Sequence, residues 1–306
     1  MNLFSLAKAF PTEEHALAYW IRARWPDGVR CLGCDCAKCW LIETRGKTGK
    51  RVRLFECSDC GLHFSPTTNT LFHDSHLPLQ KWFAAIALMV ESKKGISAAQ
   101  MKRHLGVTYK TAWFLCHRVR QAMQESPSFT VGGPETTVEI DEMFIGGRNR
   151  LRGHKNTQEN KSVVLGLAER SGQIHMQVIA GAKTEPIRQV VEQKLNPKTP
   201  FVITDGKGSY RAVVDPQKHI AGNHGEELKS KTYSSTYTVE SAFSLFKRGI
   251  VGNYHWLSAE HLDRYLGEFC WRYNRRRQQP RLFDMVLTNL STNKPLPYKV
   301  LTYEPF

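Results

Sequence analysis

The sequence predicts an α/β protein. A mixed sheet flanked by helices occupies its second half, preceded by a small cysteine-rich module and a helical region. Three observations carry this reading. Branched-apolar runs VEIDEMFI, SVVLGLAER and QIHMQVIAG follow one another, then come a helical segment from about Glu185 to Leu195 and the strand PFVITD. Three strands, a helix, another strand and further helices describe a mixed sheet with helices packed on it. Six of the eight cysteines lie between Cys31 and Cys60, which in a reducing compartment points to metal. Between these regions, apolar residues at helical spacing are interrupted by a tight turn at Leu105-Gly106-Val107-Thr108.

Size and charge set the limits. The 306 residues leave room for two or three domains. The 43 Lys+Arg against 28 Asp+Glu give a formal charge of +15, which favours a polyanionic partner such as nucleic acid. No run of eighteen apolar residues occurs, so no membrane span is expected. MNLFSLAKAF is too short in its apolar part for a secretory signal, and the expected location is the cytoplasm.

Taken in order, residues 1–30 form an N-terminal helical segment. Thr12 caps a helix over residues 11–25, with Glu13 and Glu14 in its positive first turn, and Pro26-Asp27-Gly28 ends it. Residues 31–70 hold the cysteine pairs among short strand-like runs, WLIETR and RVRLFEC. Residues 71–130 are helical, beginning near Pro78. Residues 126–137, rich in Gly, Pro, Ser and Thr, read as a linker. The α/β domain spans 131–285, with later helices near residues 239–248 and 258–275, and 286–306 is a C-terminal tail.

Cys31-Leu-Gly-Cys34 and Cys57-Ser-Asp-Cys60 are two C-x-x-C knuckles separated by 22 residues. Each can present two thiolates, and together they close a tetrahedral site for one structural zinc ion, forming a zinc ribbon. Cys36 and Cys39 make another C-x-x-C, 17 residues before Cys57. Spacing leaves both registers open. Cys116 and Cys270 stand alone in helical patterns and read as buried apolar side chains.

Residues 96–123 read as a helix-turn-helix, with Ser97 capping the first helix and Thr108 the second. Lys110, Arg118 and Arg120 on the second helix suit a DNA groove and its phosphates. A second basic cluster, Arg272, Arg275, Arg276, Arg277 and Arg281, follows the last long helix and is expected to track a phosphate backbone.

Asp141 lies in the apolar run VEIDEMFI, and Asp205 ends FVITD. Carboxylates on adjacent strands can share divalent cations. Hard oxygen ligands select two Mg2+ or Mn2+ ions, which serve in-line phosphodiester displacement. Glu240 stands on an amphipathic run with Val239, Phe243 and Phe246 on its buried face. Lys247 follows seven residues later, two turns along the same face, where it can contact DNA phosphate. Glu226 and Glu227 are rival acids in a less regular segment.

These segments together resemble the bacterial DDE insertion-sequence transposases that carry an N-terminal zinc ribbon. The markers are RWPDGVRCLGC, ECSDCGLHFSPTTNTLFHDSHLPLQKW, VEIDEMFIGG, VITDG and VESAFSLFKRGIVGNYHWLSAEHLDRYLGEFCWRYNRR, and they span nearly the whole chain. The resemblance favours Cys31 and Cys34 over the second register. It implies a ribonuclease-H-like core over 131–285, with Asp141, Asp205 and Glu240 on the catalytic acid positions and Lys247 on the basic position that follows. Many relatives carry Asn three residues before the glutamate. Here that residue is Tyr237, so the third ligand is assigned to Glu240. His224 and His255 also match positions near the site. The implied activity is DNA transposition by metal-dependent cleavage and strand transfer. The implied partners are double-stranded DNA, both terminal inverted repeats and target, and further copies of the chain in a homodimer or larger synaptic assembly. Lys110, Arg118, Arg120, Lys247, Arg248, Arg272, Arg275 and Arg276 are the expected DNA contacts, in a bacterial, nucleoid-associated protein. The competing reading is a zinc-ribbon DNA-binding regulator with a catalytically inactive ribonuclease-H-like domain.

Overall fold

The computed structural model describes residues 3–45, 51–146, 161–170, 172–222, 235–278 and 281–303. In chain order these form α1 (Leu3–Ala9), α2 (Glu13–Arg24), β1 (Cys39–Arg45), β2 (Arg51–Cys57), β3 (His63–Phe64), α3 (Leu79–Glu91), α4 (Ala98–Leu105) and α5 (Tyr109–Ala122). There follow β4 (Thr137–Ile145), β5 (Ser162–Glu169), β6 (Ile174–Ile179), α6 (Thr184–Lys194), β7 (Phe201–Thr204), α7 (Gly208–Arg211) and β8 (His219–Ala221). The last elements are α8 (Tyr237–Gly249), α9 (Leu262–Asn274), α10 (Leu282–Thr292) and α11 (Tyr298–Tyr303). Two units emerge. The first combines Met1–Ala122 with Gln278–Pro305, and the second is built from Met123–Arg277. No helix among the described residues is long and apolar enough to cross a membrane.

The first unit is organised by aromatic side chains. Phe10, Phe83 and Phe283 meet, with ring centroids 4.9 Å (Phe10–Phe83) and 5.6 Å (Phe83–Phe283) apart. Trp20, Phe72 and Trp82 form a second chain of edge contacts. Pro78 precedes α3 and has no side chain to cap it. Glu13 on α2 does so instead, accepting from Leu79 N at 2.7 Å and Gln80 N at 3.2 Å. Thr12 was expected to cap α2, but its hydroxyl meets His15 Nδ1 and makes no cap bond. Ser97 and Gln100 form a reciprocal capping box on α4. Gly106, at φ 59°, closes α4, and Thr108 accepts from Thr111 N to start α5.

Of the residues read as a tail, 286–306, those up to 303 are not one. Leu282, Phe283, Val286, Leu287 and Leu290 form a buried stripe on α10 that joins the core of the first unit. Its polar Thr, Asn and Ser neighbours mask this stripe in the sequence. The region 126–137 is not a free linker either. Val131 is fully buried, donates to Lys194 O and accepts from Asn196 N, so it is docked on the second unit.

The second unit contains, among the described residues, a five-stranded sheet of order β6-β5-β4-β7-β8. The β4–β5 and β5–β6 pairs are antiparallel, and the β4–β7 and β7–β8 pairs are parallel. Side chains alternate across β4. Val138 and Ile140 pack with Ile187 and Val190 of α6, whereas Met143 and Ile145 pack with Phe243 and Phe246 of α8 and Leu266 of α9. Gly166 of β5 lies opposite Asp141 in the register. A Cβ there would fall 2.6 Å from Phe243 Cε1 and 2.8 Å from Val239 Cγ2. The bare glycine therefore lets α8 settle onto the sheet beside Asp141.

Candidate functional site

The parallel register pairs Val138 with Val202 and Glu139 with Ile203. Carried two residues further, it sets Asp141 beside Asp205 where β7 ends. The carboxylates of Asp141, Glu142 and Asp205 offer oxygens that all lie within 4.8 Å of one another. The side chains of Glu142 and Asp205 are only 3% and 7% exposed. Asp205 also accepts from Lys207 N at 3.2 Å, which shapes the turn after the strand. Burial first, then the neighbouring charges of Glu142 and Asp205, push Asp141 from an ordinary 3.8 up to about 7. Lys207 partly answers this crowding. Its ammonium lies 2.9 Å from Asp205 Oδ2 and also binds Glu142, which the Tyr210 hydroxyl holds from the other side. Burial and the Glu142 charge raise the Tyr210 phenol, keeping it a donor.

Glu240 is not one of these three. It is exposed in the first turn of α8, where its Oε1 accepts from Thr236 Oγ1 at 2.8 Å. What aims this helix is Glu139, two residues before Asp141 on the same face of β4. Glu139 is buried and accepts from Thr238 N at 2.6 Å, Val239 N at 3.1 Å and Thr238 Oγ1 at 3.0 Å. Its charge is paired with Arg170 at 2.9 Å. A strand carboxylate thus caps α8 in place of a local residue, joining the Asp141 strand to the Glu240 helix. Replacing Glu139 with Gln is expected to lower the stability of the second unit by about 2–4 kcal/mol, read by urea denaturation, because buried donors and Arg170 lose a charged acceptor. An unchanged midpoint would show that α8 is held by packing alone.

The four cysteines expected from the knuckles do converge. The Cys31–Cys60, Cys34–Cys57 and Cys34–Cys60 sulfurs are each 3.5 Å apart, and all four lie within 4.8 Å of one another. A zinc tetrathiolate with bonds of about 2.3 Å has sulfur–sulfur edges of about 3.8 Å, so the set fits that ion. The Cys60 backbone N–H brings the Cys57 thiol down to about 6, and the Cys34 and Gly33 N–H groups lower Cys31. Those two thiols are readied as thiolates, whereas hydrogen bonding to these neighbouring sulfurs raises Cys34 and Cys60, so the four share protons that a bound cation would displace. Cys36 and Cys39 stand outside the set. Cys36 Sγ accepts from Lys38 N, and Cys39 Sγ points to the Cys36 carbonyl. Around the cluster, Phe55, Phe64 and Trp25 make only a small core, too little to hold this segment without the metal.

The basic residues divide. Arg118 and Arg120 are buried, at 5% and 1% exposed, and so cannot lie along a phosphate backbone as expected. For Arg118 the reason is the returning C-terminal segment. Arg118 donates to Leu296 O and lies 4.3 Å over the Phe114 ring, on a face of α5 that a free tail would have left open. Arg272 pairs with fully buried Glu268, and Arg275 forms a two-pronged pair with Glu125. Both are tied into the second unit rather than free to track DNA. Lys110, Lys247, Arg248 and Arg276 are exposed. Lys110 lies over Tyr298 and Arg276 over Tyr273. His224, Glu226 and Glu227 lie outside the described residues. His255 is exposed in the turn after α8.

Sequence reasoning missed Glu139, Glu142, Lys207 and Tyr210. An acid immediately after Asp141 and a lysine two residues after Asp205 were available signals. Glu139 gave none, because the helix it caps lies about a hundred residues away and Arg170 31 residues away.

Two family models match this chain. The ISXO2-like transposase domain covers residues 131–274, and the transposase zinc-ribbon domain covers residues 11–63. A relative from Halobacterium salinarum, described as an uncharacterized protein in transposable element ISH50, is 27% identical over 284 residues. That alignment covers 87% of this chain and 92% of the relative. The four converging cysteines fall in the first 63 residues, and the carboxylates with α8 fall in the larger match. The chain therefore combines a transposase zinc ribbon with an ISXO2-like transposase domain, and it is a transposase of the insertion-sequence kind.

Proposed function

We propose that this transposase is a metal-dependent nuclease and strand-transfer enzyme, which cuts at the ends of its element and joins the freed 3′ ends to target DNA. The observation that carries the reading is the crowded carboxylate group, with Asp141 and Asp205 on neighbouring strands and Asp141 pushed up to about 7. Such a group binds hard cations, and two Mg2+ or Mn2+ ions fit it best. When bound, they would supply activation of the attacking oxygen and stabilisation of the leaving one. Asp141 and Asp205 are the proposed ligands, with Glu240 the third, presented by α8. Glu142, gripped by Tyr210 and Lys207, is a positioning residue that keeps the lysine ammonium beside Asp205. Water displaces the 3′ oxygen from the phosphorus at the element end. The new 3′-hydroxyl then attacks a target phosphorus and displaces the target strand's 3′ oxygen, which leaves as a hydroxyl, with no covalent link to the protein.

The order β6-β5-β4-β7-β8, with three antiparallel strands followed by two parallel ones, supports a ribonuclease-H-like core for this unit. In the first unit, α4, the Gly106 turn and α5 support a helix-turn-helix, with exposed Lys110 near the start of its second helix. Lys247, Arg248 and Arg276 are the proposed phosphate contacts of the second unit. Joining two ends in one event calls for a dimer or larger assembly, acting on DNA in the cytoplasm.

Labelled element ends incubated with a target plasmid and Mg2+ test the reading. Cleaved ends should appear first and joined products later. Cleavage without joined product would leave a nuclease only. The Glu240→Gln variant should lose about a thousandfold in cleavage, as expected when several kcal/mol of charge stabilisation is removed. The Glu142→Gln variant should lose about tenfold. The reverse ranking would move the third ligand to Glu142.

A further inference from the structure

Beyond α8 the chain does something unusual. Residues Ile250–Tyr254 continue as a π-helical turn, and His255 then adopts φ 60° and ψ −36°. His255 N donates to Ile250 O at 2.6 Å, and Trp256 N donates to Tyr254 O at 2.7 Å. The second bond closes a γ-turn of the positive-φ kind, which is rare and strained for a residue with a side chain. Such conformations persist only where their surroundings hold them, and π-turns gather at functional positions. Here the support is visible, since the Tyr254 ring packs edge-on against Tyr265 of α9 at 4.9 Å.

What this braced turn presents is an indole. Trp256 is 75% exposed, and neighbouring Val251 is 74% exposed. A large aromatic held out by a strained but anchored turn gains nothing for the fold. From Lys247 to Trp256 the chain carries Lys247 and Arg248, both exposed, and no acid. An exposed aromatic beside backbone-seeking cations is the combination that meets nucleic acid, with cations on phosphate and the ring on a base. It also follows the helix that carries Glu240. The ten steps from Glu240 to Ile250, just past the end of α8, rise about 15 Å, or roughly four base pairs at about 3.4 Å each, before the turn that carries Trp256.

We propose that Trp256 is a base-stacking wedge, seated on an unstacked base step of the element DNA at least about four base pairs from the phosphate that Glu240 would help hold, while Lys247 and Arg248 hold the adjoining backbone. The proposal rests on duplex DNA being the substrate, and it gives this turn a role in holding or distorting the element end apart from the chemistry.

The test uses full-length protein carrying Asp205→Asn, without added Mg2+, so the signal is independent of whether the carboxylates catalyse. Element-end duplexes carry 2-aminopurine at successive positions. Binding should raise the fluorescence at one position in the expected window, and Trp256→Phe should preserve that rise. Trp256→Ala should abolish it and weaken binding about tenfold or more. At 75% exposure this truncation leaves the core untouched, which an unchanged thermal unfolding curve would verify. A rise at no position, or one that survives in Trp256→Ala, would overturn the wedge. Weakened binding with the fluorescence rise intact rejects stacking equally. A change in the sedimentation of the DNA-free protein on Trp256→Ala would instead assign the face to a second copy of the chain and overturn the DNA assignment.

Discussion

The Asp205→Asn and Asp141→Asn variants are each expected to lose element-end cleavage by about a thousandfold or more, while retaining DNA binding in a gel-shift assay. Losing a charged ligand removes several kcal/mol of stabilisation at the reacting phosphate, and each 1.4 kcal/mol is about tenfold in rate. Asp141→Asn should have an opposite effect on the fold. Asp141 rises from an ordinary 3.8 to about 7 because burial and the adjacent carboxylates disfavour its charge. Between those values the folded chain holds a proton that the unfolded chain has released, so stability falls as pH rises toward 7 and the full cost stands above it. Asparagine has no charge to bury. Without divalent cations at pH 8, Asp141→Asn should therefore unfold roughly 2–6 °C above the parent protein, as about 1–2 kcal/mol implies at this size. Saturating Mn2+ should raise the parent's midpoint and leave the variant's nearly unmoved, since only a site that binds the ion gains from it. A destabilised Asp141→Asn, or one that cleaves normally, would remove Asp141 from the centre of the site.

Zinc removal should be as consequential for the first unit. Metal analysis is expected to find one zinc per chain in the parent, in Cys36→Ser and in Cys39→Ser, and almost none in Cys57→Ser. Binding of structural zinc by such segments is worth about 10–16 kcal/mol, and that energy is folding energy. The ribbon's small core around Phe55 and Phe64 cannot replace it. In Cys57→Ser the ribbon should become sensitive to protease and element-end binding should fall at least tenfold. The second unit should keep its circular dichroism. Loss in Cys36→Ser or Cys39→Ser would mean the other knuckle holds the ion, and full zinc in Cys57→Ser would rule out the ribbon site in either register.

What could be read from residues alone follows how local the cause is. The knuckle Cys57-Ser-Asp-Cys60 is set by its own spacing, and Asp141 and Asp205 advertised themselves as acids in apolar strands. Spacing alone could not choose between Cys31/Cys34 and Cys36/Cys39, because intervals of 22 and 17 residues both suit a ribbon. The misjudged arginines fail for another reason. Arg118 is covered by a segment nearly 180 residues later, and Arg275 pairs with Glu125, 150 residues earlier. A basic residue on an amphipathic helix looks solvated until the element that covers it is known. Glu139 is the same lesson inverted, since its neighbours read as an ordinary strand while its partners open α8.

The return of α10 to the first unit has a consequence for how this polypeptide matures. A ribosome must finish all of residues 123–277 before Phe283 can reach Phe83, so the unit begun first is completed last, by the long-range closure that costs chain entropy and slows assembly. Until then the α10-facing core stays uncovered. A chain broken off between residues 123 and 282, from a decayed gene copy or an interrupted message, would retain its cysteine knuckles yet expose the apolar seam that α10 should cover. Such fragments are natural prey for proteases and poor competitors for the element's ends.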